Sequence, residues 1–333
     1  MRIAITGSSG WIGHSLASSL ARAGVHVVPI SRSGRFPGTI PIDISSADSS
    51  RLLQRAFRGC DAVVHCAGLA HQFDASGAFE EFGRVNGLGT RRVVEAAESS
   101  DVSRFILAGT IAVYDWKLPG SARRESDHLR PISPYALSKA TSEIYVAGSR
   151  LDWCIARIAT VYGDGDKGNI LRLARMLMRS FAVVPDGCDV FKSLVHIDDV
   201  VDVLSLLALG GAPARAVLNI APVQPVNLDD VYEALCEALA VSTPITLPKG
   251  VFSVLGKIAD VVECAGRELP VNSGVIERLV ASTVVDGTKV AAMFPKKTWF
   301  GFCDGLSRSS DYYRRACLVS KRPACDLRMR HCR

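Results

Sequence analysis

"TGSSGWIGHSL", residues 6–16, decides how this chain is read. It follows the apolar run "RIAIT" (2–6) and leads into helically spaced apolar residues, so it stands at a strand-to-helix turn. A glycine-rich turn in that place is a cradle for a dinucleotide. Gly7 permits the tight turn, Gly10 lets the backbone approach a pyrophosphate, and Gly13 lets the helix pack closely. The helix N-terminus then offers unpaired amides and the positive end of its dipole to the phosphates. The spacing is Gly-x-x-Gly-x-x-Gly, not Gly-x-Gly-x-x-Gly.

Outward from this turn, short apolar runs alternate with helical patterns. "VHVVPI" (25–30), "TIPID" (39–43), "DAVVHCA" (61–67), "RFILAG" (104–109) and "WCIARI" (153–158) read as strands. Helices are expected near 12–23, 47–58, 78–99 and 134–149, with Gly24 and Gly59 at C-cap positions. The alternation predicts an α/β fold: a Rossmann-like, doubly wound parallel sheet with helices on both faces. After residue 160 the pattern breaks and returns with "LVHIDDVVDVLSLLAL" and "AVLNI". The expected organisation is a dinucleotide-binding domain over 1–160 and 193–220 and a smaller, discontinuous substrate-binding lobe over 161–192 and 221–315. Residues 316–333, ending "SKRPACDLRMRHCR", read as a disordered basic tail.

The chain has 333 residues, enough for a large core without covalent staples, and a formal net charge of only +6. Its ten cysteines are scattered without a CxxC pair and follow no export signal, so free thiols in a reducing compartment are expected. No apolar run is long enough to span a bilayer, and the expectation is a soluble cytoplasmic protein. No basic stripe interleaved with aromatics points to nucleic acid. His65, His71 and His196 do not share an element at metal-ligand spacing and read as core or solvated residues; no metal site is expected. Asp198 and Asp199 read as the charged start of a helix, and Cys66, with no base beside it, as a non-nucleophilic neighbour of the cofactor loop.

The end of the second strand, "VVPISRSGR" (27–35), lacks the carboxylate that would grip a ribose 2′-hydroxyl. Ser31 and Arg32 stand there instead, a pair suited to a 2′-phosphate, so NADP(H) is preferred over NAD(H). Asp43 is placed to meet the adenine edge, and equally to charge the start of a helix. "FILAGTIAVYD" (105–115) puts Thr110 at a strand's carboxyl end, where open α/β sheets bind ligands. In "SPYALSK" (133–139), Tyr135 and Lys139 are four apart and share one helix face. A neighbouring ammonium favours the phenolate, so Lys139 is expected to lower the proton affinity of Tyr135.

Taken together, "TGSSGWIG", "DI" at 43–44, "HCAG" at 65–68, Asn86 in "VNGLGT", "GTIAVY" at 109–114 and "YALSK" resemble the extended short-chain dehydrogenases/reductases, from Met1 to about Arg315. The resemblance implies Thr110, Tyr135 and Lys139 as the catalytic set. It implies cofactor contacts from Gly7, Ser9, Gly10, Trp11, Ile12, Gly13, Ser31, Arg32, Asp43, Ile44, Cys66, Ala67 and Gly68, with Asn86 a structural residue behind the site. "ARIATVYGDGDKGNI" (156–170) and "FKSLVHIDDVVDVL" (191–204) resemble the branch that acts at C4 of UDP-hexoses and their N-acetylated forms in surface-polysaccharide assembly. That likeness implies Asn169 and Lys192 as contacts to a nucleotide diphosphate, Thr110 at the reacting oxygen, Arg278 as a phosphate ligand or an exposed helix residue, and a homodimer through the helices near 78–99 and 134–149. Lys192 replaces the arginine common in epimerases, and threonine at 110 replaces a serine while keeping the hydroxyl. The expected reaction is NADPH-dependent reduction of the C4 ketone of a UDP-4-keto-hexose. The alternatives are a UDP-glucose or UDP-N-acetylglucosamine 4-epimerase with retained NAD and, outside enzymology, an NADP-binding redox sensor.

Overall fold

β1 (Arg2–Thr6) lies inside a seven-stranded sheet in the computed structural model. The structure describes residues 1–34, 37–70, 78–116, 122–179, 182–187, 189–211, 213–252 and 279–319, with the single residues 254 and 277. Two compact units divide the chain: Met1–Val161, Ser193–Gln224 and Val284–Phe300 form one, and Tyr162–Lys192, Pro225–Thr283 and Gly301–Arg333 the other.

In the first unit, α1 (Trp11–Arg22) leads to β2 (His26–Ser31), β3 (Ile40–Pro41) and α2 (Ser49–Phe57). β4 (Ala62–His65), α3 (Ala78–Phe82), α4 (Gly89–Glu98), β5 (Arg104–Thr110), α5 (Pro134–Ala147) and β6 (Asp152–Ile158) follow. The strand Ala216–Ile220 completes the sheet beside β6, and every pairing is parallel: Ala216–Ile220, β6, β5, β4, β1, β2, β3. Both faces of β1 are apolar because both are covered. Ile3 and Ile5 join Leu16 and Leu20 of α1 and Val200, Leu204 and Leu207 of the helix Ile197–Ala208. Ala4 faces the other way, into a cluster with Leu53, Phe57, Val93 and Phe105. The chain leaves β1 toward β2 on one side and re-enters through β4 on the other, which opens a crevice at the carboxyl ends of β1 and β4.

Three details differ from the sequence reading. Residues 284–300, expected in the smaller lobe, belong to the sheet unit, because Val285 and Val290 are buried in its main core cluster. Lys297 also ties this segment to the helix Ile197–Ala208, with Nζ 2.8 Å from Asp199 and 3.0 Å from Asp202. Asp198 and Asp199 do form the acidic first turn of that helix, but Asp199 is also a buried anchor, and the side chain that caps the helix is His196, whose Nδ1 accepts from the Asp198 amide at 3.3 Å. The helix Ser310–Val319 carries regular structure past the expected tail boundary at 316, because Tyr313 and Cys317 are buried; residues 320–333 and His71 lie outside the described residues.

The second unit contains the helices Asn169–Leu177 and Leu228–Leu239 and two short strand pairs, Val183–Pro185 with Ile245–Leu247 and Phe191–Lys192 with Val226–Asn227. Among the described residues, no helix is long and apolar enough to cross a membrane, and Cys60, Cys66, Cys154, Cys236, Cys303 and Cys317 are free thiols.

Candidate active site

The glycine turn is held by its own backbone. Gly7 takes φ +71°, Gly10 donates its amide to the Gly7 carbonyl at 2.9 Å, and Ser8 donates to Ile30 at 3.1 Å. A Cβ on Gly7 would lie 2.5 Å from the Ala67 nitrogen, and one on Gly13 would lie 2.3 Å from the Gly7 oxygen. The turn therefore sits directly against the chain leaving β4. A cavity of about 330 Å³ opens here, lined by Gly7, Ser9, Gly10, Ser31, Arg32, Asp43, Ile44, Cys66, Ala67 and Gly68, together with Ile30, Ser33, Ile42, Leu69 and Val85. Trp11 and Ile12 pack instead against the main core, and Gly13 lies beneath the turn.

These residues fit a dinucleotide. The Ser8 and Ser31 hydroxyls are buried without a hydrogen-bond partner, an arrangement that a polar ligand would complete. Arg32 is exposed beside Ser31, and no carboxylate stands at the end of β2. Asp43 is fixed from behind, accepting from the Ser45 amide at 2.9 Å and the Ser45 hydroxyl at 2.7 Å. Partial burial raises its proton affinity, but those two bonds and the Arg32 and Arg84 charges outweigh it and hold the carboxyl below its ordinary range.

At the next strand end, Thr110 closes β5, and its Oγ1 accepts from the Ala112 amide at 3.2 Å. Tyr135 and Lys139 ride on α5, whose start is set by Pro134 and by Ser133, which accepts from the Ala136 amide at 3.1 Å. Tyr135 is half-buried, in edge contact with Phe82, and its phenol meets the Thr110 side chain. Lys139 is buried, and its Nζ donates to the Ala108 carbonyl at 2.7 Å. The expected lowering of the Tyr135 proton affinity by Lys139 does not hold here. Desolvation raises the phenol above its usual value, the Thr110 bond offsets only part of this, and the Lys139 ammonium is turned to a backbone carbonyl. Burial likewise pushes the Lys139 ammonium down to about 8, against the attraction of Glu143.

Behind this set, residues Gly83–Leu88 form a π-helical turn between α3 and α4. Asn86 sits in it, buried, and clamps Leu69 through its amide at 2.8 Å and its carbonyl at 3.1 Å while donating to the Ser138 hydroxyl at 2.9 Å. The Asn86 carbonyl accepts from Ser142 at 2.9 Å and also from Thr90. His65 is held between the hydroxyls of Thr6, at 2.6 Å, and Thr90, at 2.9 Å, and burial keeps it neutral with a value near 3. Burial takes the Cys66 thiol up to about 12, far from a nucleophile's range.

In the second unit, Asn169 opens the helix Asn169–Leu177, and the preceding turn is fixed by the buried Asp166. That carboxylate accepts from the Leu171 amide at 2.9 Å and the Tyr313 hydroxyl at 3.0 Å, and also from the Gly168 amide. Lys192 donates to the Ala281 carbonyl, and burial lowers its ammonium to about 8. Arg278 lies outside the described residues.

The model of the NAD dependent epimerase/dehydratase family matches residues 3–221, which span the glycine turn, Thr110, Tyr135 and Lys139. The chain belongs to this family. It is 25% identical over 296 residues to UDP-glucose 4-epimerase of Vibrio cholerae, covering 85% of this chain and 87% of that one. It is 27% identical over 266 residues to dTDP-6-deoxy-L-talose 4-dehydrogenase (NAD(P)(+)) of Kitasatospora kifunensis, covering 74% and 81%. Among solved structures, MoeE5 in complex with UDP-glucuronic acid and NAD superposes with a TM-score of 0.74 at 25% identity, covering 95% of this chain and all of that one.

As a member of the NAD dependent epimerase/dehydratase family, the chain is an NAD(P)-dependent enzyme of the short-chain dehydrogenase type. A bound nicotinamide supplies or accepts the hydride in such chemistry. In this chain the Thr110 side chain meets the neutral phenol of Tyr135 at the end of β5, and the buried ammonium of Lys139 lies one helical turn along α5. Two contacts escaped sequence reading: in the first unit the Glu143–Arg157 ion pair beneath α5, and within the second unit the Asp166–Tyr313 contact, which joins residues 147 positions apart.

Proposed function

We propose that the enzyme uses NADPH to reduce the C4 ketone of a UDP-4-keto-hexose, such as a 2-acetamido-2,6-dideoxy sugar, in the synthesis of a polysaccharide precursor. Tyr135 donates the proton to the nascent C4 alkoxide, Thr110 holds that oxygen, and Lys139 binds the nicotinamide ribose. Asn169 and Lys192 contact the nucleotide diphosphate. The observation that carries the cofactor preference is the end of β2, where the unpartnered Ser31 hydroxyl and the exposed Arg32 replace a ribose-binding carboxylate. The Tyr135 phenol is neutral, so it carries the proton that reduction of a ketone consumes, and the Thr110 bond offsets part of the burial that makes that proton harder to release. The talose 4-dehydrogenase relative, which works at a sugar C4 with NAD(P), supports the same reading.

The 4-epimerase reading uses the same three residues and is favoured by the likeness to UDP-glucose 4-epimerase. The enzyme is further proposed to act in the cytoplasm as a homodimer. Exposed Leu88, Leu137 and Ile144, the last 70% accessible, give the region of α4 and α5 an apolar face suited to a second copy.

Release and identification of any nucleotide carried by the purified protein separates the two reactions. A protein free of nucleotide that oxidises NADPH only with a 4-keto sugar nucleotide supports the reductase. Tightly held NAD, with interconversion of UDP-glucose and UDP-galactose, overturns it in favour of the epimerase.

A further inference from the structure

Beneath the catalytic face of α5, two charges are buried in an assembly that the reaction does not touch. Glu143, one turn beyond Lys139, meets Arg157 of β6 along a two-pronged contact: Nη2 to Oε2 at 2.7 Å and Nε to Oε1 at 3.1 Å. Both side chains are less than a tenth exposed. Arg157 is fixed further by the Tyr114 hydroxyl at 2.9 Å and the Glu125 carbonyl at 3.1 Å, and its guanidinium lies 4.9 Å from the Tyr114 ring centre. Tyr114 in turn donates to Asn219 at 2.7 Å. Replacing a buried ion pair by apolar residues is often neutral or even stabilising, so a support this elaborate asks for another reason.

That reason lies one turn back. A lysine buried against a single backbone carbonyl loses its proton readily. The titratable groups facing Lys139 are His65 and Cys66 at the end of β4, Tyr135 on the preceding turn and Glu143 on the following one, with Arg157 of β6 behind Glu143. His65 is neutral with a value near 3, Cys66 is neutral with a value near 12, and the Tyr135 phenol is raised by burial. Glu143 is the anion left to act on Lys139, and it does attract the ammonium.

We propose that Glu143 and Arg157 are a positioning pair that sets the protonation of Lys139, the carboxylate holding the ammonium charged and the guanidinium limiting how strongly it does so. The proposal rests on the reading of Lys139 as the residue that binds the nicotinamide ribose. It predicts shifts of opposite sign. Glu143→Gln removes the anion, and Lys139 gives up its proton at lower pH. Arg157→Met leaves the carboxylate to Lys139 alone, and Lys139 keeps its proton to higher pH.

The test measures two quantities from pH 6 to 10 for wild type and both variants. One is the alkaline limb of kcat/KM. The other, on the protein without added nucleotide, is the urea stability of each form relative to its own Lys139→Met derivative. In both, the apparent pKa is expected to fall by about one unit in Glu143→Gln and to rise by a similar amount in Arg157→Met. The stability measurement needs no substrate, so it separates failure of this proposal from failure of the assigned reaction. If either single variant does not fold, the double variant Glu143→Gln/Arg157→Met is measured, in which the pKa falls by less than a full unit. Folded variants whose transitions stay at the wild-type pH overturn the proposal, as does a shift of both single variants in the same direction.

Discussion

Three glycines separate backbone conformation, steric contact and cofactor approach. Gly7 and Gly24 share a left-handed backbone, with φ of +71° and +78°, but a Cβ on Gly24 meets nothing within 4 Å while one on Gly7 meets Ala67 nitrogen at 2.5 Å and Cys66 carbon at 2.7 Å. Gly24→Ala should therefore lose only the conformational term, about 1–2 kcal/mol. Gly7→Ala carries that same term and must also push the chain leaving β4 outward, an overpacking that adds about 1–3 kcal/mol. The expected total is about 2–5 kcal/mol, a large part of the roughly 5–15 kcal/mol that holds a typical domain folded. Gly10 is different again: its φ of −78° suits any residue, and a Cβ there would touch only the Gly7 oxygen at 3.2 Å. Gly10→Ala should fold with stability within about 1 kcal/mol of wild type, yet bind NADP or NAD much more weakly, because the methyl group stands where the pyrophosphate must approach. Urea unfolding gives the stabilities, and fluorescence titration with each nucleotide gives the dissociation constants. Equal unfolding midpoints for Gly7→Ala and Gly24→Ala would refute the claim that the turn is locked against β4, and unchanged affinity in Gly10→Ala would refute the cradle.

Tyr135→Phe should reduce turnover by about 10²–10⁴-fold while leaving the unfolding transition nearly in place, since the half-buried ring keeps its contact with Phe82; steady-state rates with circular dichroism melts check both halves. Lys139 drops from 10.5 to about 8 on folding, so between those values the unfolded chain binds the extra proton and the Lys139 contribution to stability improves as pH rises. The stability gap between wild type and Lys139→Met should accordingly move in favour of wild type between pH 8 and 10, as followed by urea midpoints. Asp166→Asn removes a charged acceptor from the Gly168 and Leu171 amides and the Tyr313 hydroxyl, and it should raise the KM for the sugar nucleotide by about tenfold with cofactor affinity unchanged. A parallel loss of cofactor affinity would show that Asp166 acts through global stability.

Most of the sheet was legible because it is covered on both faces, so β1, β4 and β5 appear in the sequence as uninterrupted apolar runs that end in glycine-rich turns. The cofactor wall was legible for the same local reason, since Gly7, Ser31 and Cys66 each sit just beyond or at a strand end. What escaped was tertiary. Apolar periodicity runs unbroken through Gly83–Leu88 and gives no sign that a π-helical turn frees the Asn86 carbonyl for Ser142. The sequence places only Lys139 beside Tyr135, whereas burial and Thr110 set the proton affinity of that phenol in the fold. Residues 284–300 look irregular in sequence because their regularity comes from Lys297 and Val290, which are fixed by partners some 70 or more positions earlier.

The order of segments along the chain has a consequence for biosynthesis. Val285 and Val290 lie in the same core cluster as Ile3 and Ile5, and the strand Ala216–Ile220 is what covers the edge of β6. A ribosome therefore releases a nascent sheet whose β6 edge, with Cys154, Ile155 and Ala156, stays unpaired until more than 50 further residues have emerged. An open parallel edge of that kind invites pairing with other chains. Fragments that stop at Val161 should aggregate, and vectorial synthesis should leave the sheet unit dependent on chaperone protection until the segment that ends at Phe300 is available.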